Sequence, residues 1–298
     1  MTAAVVELVS LPVLAWVAVG VGLLVAYRRS TSAVVFRLAA VFLAFWAVFA
    51  TTGLAWIVSA GGWSAVVRLA AAPDLIFGPT FARLWLFGLL GALGIFATAF
   101  LLSQIVGRGY LALHRPRPMA WPSTIPPPAT ATALLSYDSP RPDAFSFTLL
   151  ELRPNGGVRR RDVILFSEGL LQRLTPAERD AVIAHELGHI RELDGRYLTF
   201  FRTLSRLMRW DPILAYLANR LTEREELRAD SDAVELTRRP RALARALFKA
   251  AAASDLAGRA APGLLGTGGR RGRLQTAERI RRLVALAESG RFPEDLVE

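Results

Sequence analysis

Two histidines one helical turn apart, with a glutamate beside the first, are the residues of this chain best suited to chemistry. They are His185, Glu186 and His189, in the run Val182-Ile183-Ala184-His185-Glu186-Leu187-Gly188-His189-Ile190. At i and i+4 on a helix the two imidazoles share one face and can reach a single zinc ion. Glu186 can then reach a water in the ion's open position, take its proton and hand one to a leaving amine. Two histidines can fall on one helix by accident. Here, however, the whole chain holds three histidines and two of them form this pattern.

A catalytic zinc site needs a third protein ligand. The chain has no cysteine, so thiolate ligands and disulfides are excluded and the redox compartment cannot be read. The remaining histidine, His114, precedes a proline-rich stretch beside the apolar third of the chain. A carboxylate is the better candidate. In Leu221-Thr222-Glu223-Arg224-Glu225-Glu226-Leu227-Arg228-Ala229-Asp230, Glu226 and Asp230 stand at i and i+4. This predicts Glu226 as the third ligand and Asp230 as the carboxylate that orients a ligand histidine. Glu223 and Glu225 read as a solvated face paired with Arg224 and Arg228.

The elements that must position these residues have their own signals. Thr175-Pro176-Ala177-Glu178 combines an N-cap threonine, a proline at the first helical position and a glutamate three residues after the cap. Asp194-Gly195 offers a stop. Gly188 leaves one helix face thin enough for another element or a substrate backbone. Ahead of this helix, 131–137, 144–152 and 163–166 read as strands, with Asn155-Gly156-Gly157 as a turn. Residues 144–149 are the candidate edge strand for an added peptide, and an ordinary core strand is the equal alternative. Residues 197–221 are apolar but carry Arg202, Arg206, Arg209 and Asp211, so two amphipathic helices broken at Asp211-Pro212 are expected. The oxyanion stabiliser is left open among Tyr197, Tyr216 and several arginines.

The first third of the chain is of another kind. Charged residues are absent from 8–27, 38–67 and 84–107, and a spanning helix needs about 20 residues. Arg28-Arg29 follow the first run instead of preceding it, which favours a retained span over a cleaved signal. Residues 34–59 read as the second span, ended by Gly61-Gly62, and 63–77 as an interfacial piece. Arg28, Arg29 and Arg37 on one side, with Arg108, Arg115 and Arg117 after the third run, put the following chain in the cytoplasm. The chain is 53% hydrophobic, and its net charge of +11 is almost all arginine, Lys249 being the only lysine. That charge suits an anionic membrane surface, and no nucleic-acid motif accompanies it. The expected organisation is three transmembrane helices in 1–113, a proline-rich linker in 114–130 and a catalytic domain in 131–298.

The two motifs His185-Glu186-Leu187-Gly188-His189 and Glu226-Leu227-Arg228-Ala229-Asp230 resemble those of HtpX-like membrane zinc metalloproteases, a family that includes the CAAX prenyl endopeptidases. Ser167-Glu168-Gly169-Leu170-Leu171, Glu235-Leu236-Thr237, Pro240 with Ala242-Leu243, and Thr276-Ala277-Glu278-Arg279-Ile280-Arg281-Arg282-Leu283 extend the resemblance over about 143–286. It departs in having three spans before the motif, and Gly272-Arg273-Leu274-Gln275 where such proteins carry His-Pro-Pro. The resemblance implies a mainly α fold with a small β-sheet, a zincin-like domain, and a Zn2+ site of two histidines and a glutamate. It also implies endopeptidase action on membrane or membrane-proximal polypeptides in protein quality control, from the cell membrane. A BlaR-type signal-transducing protease would share spans and motifs but needs an external sensor domain, and no stretch here reads as one. A non-catalytic membrane scaffold with a degenerate metal site is the third reading.

Overall fold

The computed structural model describes residues 18–27, 29, 39–52, 55, 59, 79–128, 132–152, 156–191, 194–256 and 269–292. Two helices, α1 (Ala18–Tyr27) and α2 (Ala39–Thr52), fall within the first two apolar runs, whose remaining residues lie largely outside the described set. The interfacial piece expected at 63–77 lies outside it altogether. The third run forms α3 (Pro79–His114), and its stretch Leu86–His114 is long and apolar enough to cross a membrane, the one such helix among the described residues. Leu86, Leu90, Leu93, Leu101, Ile105 and Val106 are exposed along α3, as lipid-facing side chains would be.

After α3 come β1 (Arg117–Pro118), β2 (Thr132–Tyr137), β3 (Ala144–Leu152), β4 (Val158–Ser167) and α4 (Glu168–Leu171). They are followed by α5 (Pro176–Arg191), α6 (Asp194–Leu207), α7 (Pro212–Thr237), α8 (Pro240–Leu256) and α9 (Gly269–Glu288). The fold is mainly helical with a small mixed sheet, as expected. The strand at 163–166 is longer than expected, beginning at Val158. Asp194 does not end the motif helix. That helix ends at Arg191, and Asp194 opens the next one. The break at Asp211-Pro212 is observed, and the helix after it runs on unbroken through Glu226 and Asp230.

The chain divides into two compact units. One comprises 1–101 with 203–217. Its described helices meet through small residues. An added Cβ on Gly20 would fall 2.6 Å from the Trp46 ring, and one on Gly88 2.8 Å from Phe49. Asp211 accepts hydrogen bonds from the Ile213 and Leu214 amides and from the Thr51 hydroxyl. It thereby both caps α7 and ties it to α2.

The other unit comprises 102–202 with 218–298. Its sheet has the order β1-β2-β4-β3. β2 runs parallel to β4, while β3 pairs antiparallel with it from Ala144↔Phe166 to Leu152↔Val158. Gly156 turns between them at φ +77°, which only glycine takes without strain. One sheet face, with Phe147, Leu149, Val163 and Leu165, packs on Tyr110 and Leu111 of α3. The other face gives Leu134, Ala144, Ile164 and Phe166 to the main core, with Val182, Ile183 and Leu187 of α5 and Leu243 and Leu247 of α8. This core holds α5 rigid, with its motif at mid-helix.

Candidate metal centre

The cap of α5 forms as its sequence predicts. The Glu178 amide donates to Thr175 Oγ1 at 3.3 Å, and the Thr175 amide donates back to Glu178 Oε2 at 2.9 Å. Lys249 of α8 adds a 2.6 Å ion pair to the same carboxylate. At the far end Arg160 of β4 donates to the Ile190 carbonyl at 2.6 Å. Both ends of α5 are thus fixed, and His185 and His189 sit between them.

α7 crosses α5 at the site, and Gly188 sets the approach. A Cβ there would lie 3.1 Å from Ala229 Cα and 3.3 Å from its Cβ. With no side chain on Gly188 and only a methyl on Ala229, the carboxylates of α7 reach the histidines. Glu226 Oε2 lies 3.4 Å from His185 Nε2 and 3.9 Å from His189 Nε2. The three candidate ligand atoms all lie within 4.8 Å of one another, and all three residues are buried. Asp230 Oδ1 lies 3.0 Å from His185 Nδ1. A carboxylate at that distance favours a proton on Nδ1, and with a cation bound the Nε2 lone pair would be the one offered to it. Glu223 pairs with Arg220 at 2.9 Å and is partly exposed, whereas Glu225, expected on the same solvated face, is buried and pairs with Arg228 at 3.1 Å.

Arg279 of α9 is the site residue that sequence spacing missed. Its Nη1 lies 2.9 Å from Glu226 Oε2, and its Nε and Nη2 each lie 2.7 Å from an oxygen of Asp230. It sits 49 residues beyond Asp230, so no local pattern connects the two. The one available signal was an arginine inside the closing-helix resemblance. Tyr197, an oxyanion candidate, is among residues whose side chains lie outside the described set, and Tyr216 packs edge-on against Tyr27 in the other unit.

The electrostatics fit a divalent cation. Glu186, Glu226, Asp230 and Arg279 are all buried. With the carboxylates ionised they carry three negative charges against one positive, and a proton on His185 or a bound cation offsets part of the difference. Burial pushes the Glu226 carboxyl up, but the Arg279 charge and then His185 outweigh it and hold it far below the usual range. Burial likewise opposes ionisation of Asp230, and Arg279 overrides this to hold it at about 2. Burial pushes the His185 imidazolium down, yet Asp230 and Glu226 raise it to about 9, so a proton binds there whenever no cation competes. Burial pushes the Glu186 carboxyl up, partly offset by His185 and the Ser146 hydroxyl, which suits a general base. Tetrahedral ligands at 2.0–2.2 Å stand about 3.3 Å apart, close to the 3.4 and 3.9 Å found here. Two imidazoles and one carboxylate are also a donor set that zinc accepts.

A family described as BlaR1 peptidase M56 matches residues 157–267. The matched segment holds His185, Glu186, His189, Glu226 and Asp230 and stops short of Arg279. No solved structure matches the chain. The match supports a membrane-associated metallopeptidase family without singling out the HtpX-like branch, and it is the BlaR-type alternative whose family it names.

Proposed function

We propose that this chain is a zinc-dependent endopeptidase that cuts extended segments of membrane or membrane-proximal polypeptides. The observation that carries the reading is one buried cluster, His185, His189 and Glu226, with Glu186 beside it on the same helix. A bound zinc ion would supply Lewis-acid activation of water and of the scissile carbonyl. His185 and His189 would hold it through Nε2, and Glu226 through a carboxylate oxygen. Asp230 fixes the His185 tautomer. Glu186 takes the proton of the attacking water and returns it to the departing amine nitrogen. β3 supports the substrate, because it is the outermost strand among the described residues and Ser146 on it donates to the Glu186 carbonyl at 3.4 Å.

Metal content tests the ligand set. Purified protein should carry about one zinc per chain, lost on His185→Ala, His189→Ala or Glu226→Gln and kept on Glu223→Gln. The opposite pattern at Glu223 and Glu226 would move the ligand and refute the assignment. The basic loops favour a cytoplasmic catalytic domain. Reporter fusions at Gly61 and after Pro128 should read external and cytoplasmic, and the reverse would overturn the orientation.

A second reading is a signal-transducing protease, which the BlaR1-type family match favours. The two readings part on substrate breadth. Deleting the protein should stabilise many misfolded membrane proteins under the quality-control reading, and a single regulator under the signalling one.

A further inference from the structure

We infer that Gln104 and Arg108 close the outer edge of β3 at Leu150 and so set the far limit of the peptide this edge can hold. The inference rests on the endopeptidase reading and names specificity-determining residues for it. Among the described residues β3 is the last strand of its sheet. The Leu150 amide donates to Gln104 Oε1 at 3.0 Å, and the Arg108 guanidinium donates to the Leu150 carbonyl. Gln104 and Arg108 stand one turn apart on α3. Gln104 is buried, so water does not displace its acceptor. Together they do for Leu150 what a residue of an added strand would do: accept from its N–H and donate to its C=O.

Both backbone groups of Leu150 therefore point away from β4. In a regular antiparallel ladder every second residue does so. The β3–β4 register runs without a bulge, so Ser146 and Thr148 turn their backbone groups to the same edge. Ser146 marks the end nearest the site, through its bond to the Glu186 carbonyl. From Ser146 to Leu150 the strand spans about 13 Å at roughly 3.3 Å per residue. Gly107 lets α3 lie this close, since a Cβ there would be 3.0 Å from Leu149 and 3.1 Å from Phe147. An extended peptide can pair at Ser146 and Thr148 but must end or bend away before Leu150. The favoured substrates are thus extended peptides with about four residues on that side of the site, as free ends, loops or short exposed segments.

Binding of a nested series of fluorescein-labelled peptides to zinc-loaded Glu186→Gln protein in detergent tests this. The series is lengthened first from one end and then from the other. Affinity should stop rising beyond about four residues on one side. In Gln104→Ala/Arg108→Ala protein of the same background, the next two residues should add roughly tenfold, from the backbone bonds released. Arg108→Ala alone, at an exposed position, should give part of that gain if the double variant does not fold. An identical length dependence with and without these side chains, no plateau at all, or no peptide binding would overturn the inference. Binding with the plateau, joined to no cleavage by the native zinc-loaded chain, would instead sink the endopeptidase reading and leave the limit standing.

Discussion

Arg279 grips Asp230 with both arms of its guanidinium, Nε to Oδ2 and Nη2 to Oδ1 at 2.7 Å each, while its remaining nitrogen reaches Glu226. One side chain from the last helix thus orients both carboxylates of α7. Asp230 passes that order on to His185. In the proposed metal site Arg279 would act as a positioning residue, through these two carboxylates.

Removing it should leave two buried carboxylates against the ligands with less opposing charge. Arg279→Met is expected to destabilise the catalytic unit by about 3–5 kcal/mol, the usual cost of breaking a buried pair. Zinc affinity should fall roughly 10- to 100-fold, as for other partners that orient ligands. Arg279→Lys keeps the charge but not the fork, and should lie between. Chemical denaturation and a chelator-competition titration would read both effects. Unchanged zinc affinity in Arg279→Met would refute the positioning role.

The contrast between Glu226 and Arg279 shows what sequence can carry. His185, Glu186 and His189 lie within five residues, and Glu226 and Asp230 within five more, so helical periodicity alone places each set on one face. The cap at Thr175 and the break at Asp211-Pro212 were readable for the same reason, being chemistry between near neighbours. That Ala144–Leu152 is an edge strand was only half readable, because edge position depends on which strands pair, and β2 pairs with β4 across the hairpin that β3 and β4 make. Arg279 and Gln104 were not readable as site residues. Each meets its partner across more than 40 residues of chain, and one arginine or glutamine among many has no local mark.

Gly188 offers a test of the helix crossing. Its missing Cβ allows Ala229 Cα to stand 3.1 Å from where that atom would be. Gly188→Val should push α5 and α7 apart, costing about 1–3 kcal/mol of overpacking and lowering zinc affinity. Gly188→Ala should do both more weakly. Circular dichroism with metal analysis would separate a displaced helix from an unfolded one. Full zinc affinity in Gly188→Val would show that the crossing does not govern the ligand spacing.

Metal removal should expose a pH dependence. In chelator-stripped protein His185 titrates at about 9, above its ordinary 6.5. A raised folded value means that the imidazolium's stabilisation is fully present below pH 6.5 and lost as pH rises through 9. The loss amounts to about 3 kcal/mol at most. Melting of stripped protein should therefore drop across this window, while zinc-loaded protein, whose His185 lone pair is committed, should not. Zinc binding at neutral pH should release about one proton. Parallel melting curves for the two forms across that range would contradict the charge balance assigned to the site.

Glu186 is the proposed proton carrier of a zinc peptidase. Glu186→Gln keeps the side chain's size and its hydrogen bond to water but cannot accept a proton. The decisive measurement compares casein cleavage by native and Glu186→Gln protein, purified in the same detergent and matched for zinc content. The variant should keep its metal and lose activity roughly 100- to 10,000-fold. A zinc-loaded Glu186→Gln protein that cuts at the native rate would contradict the claim.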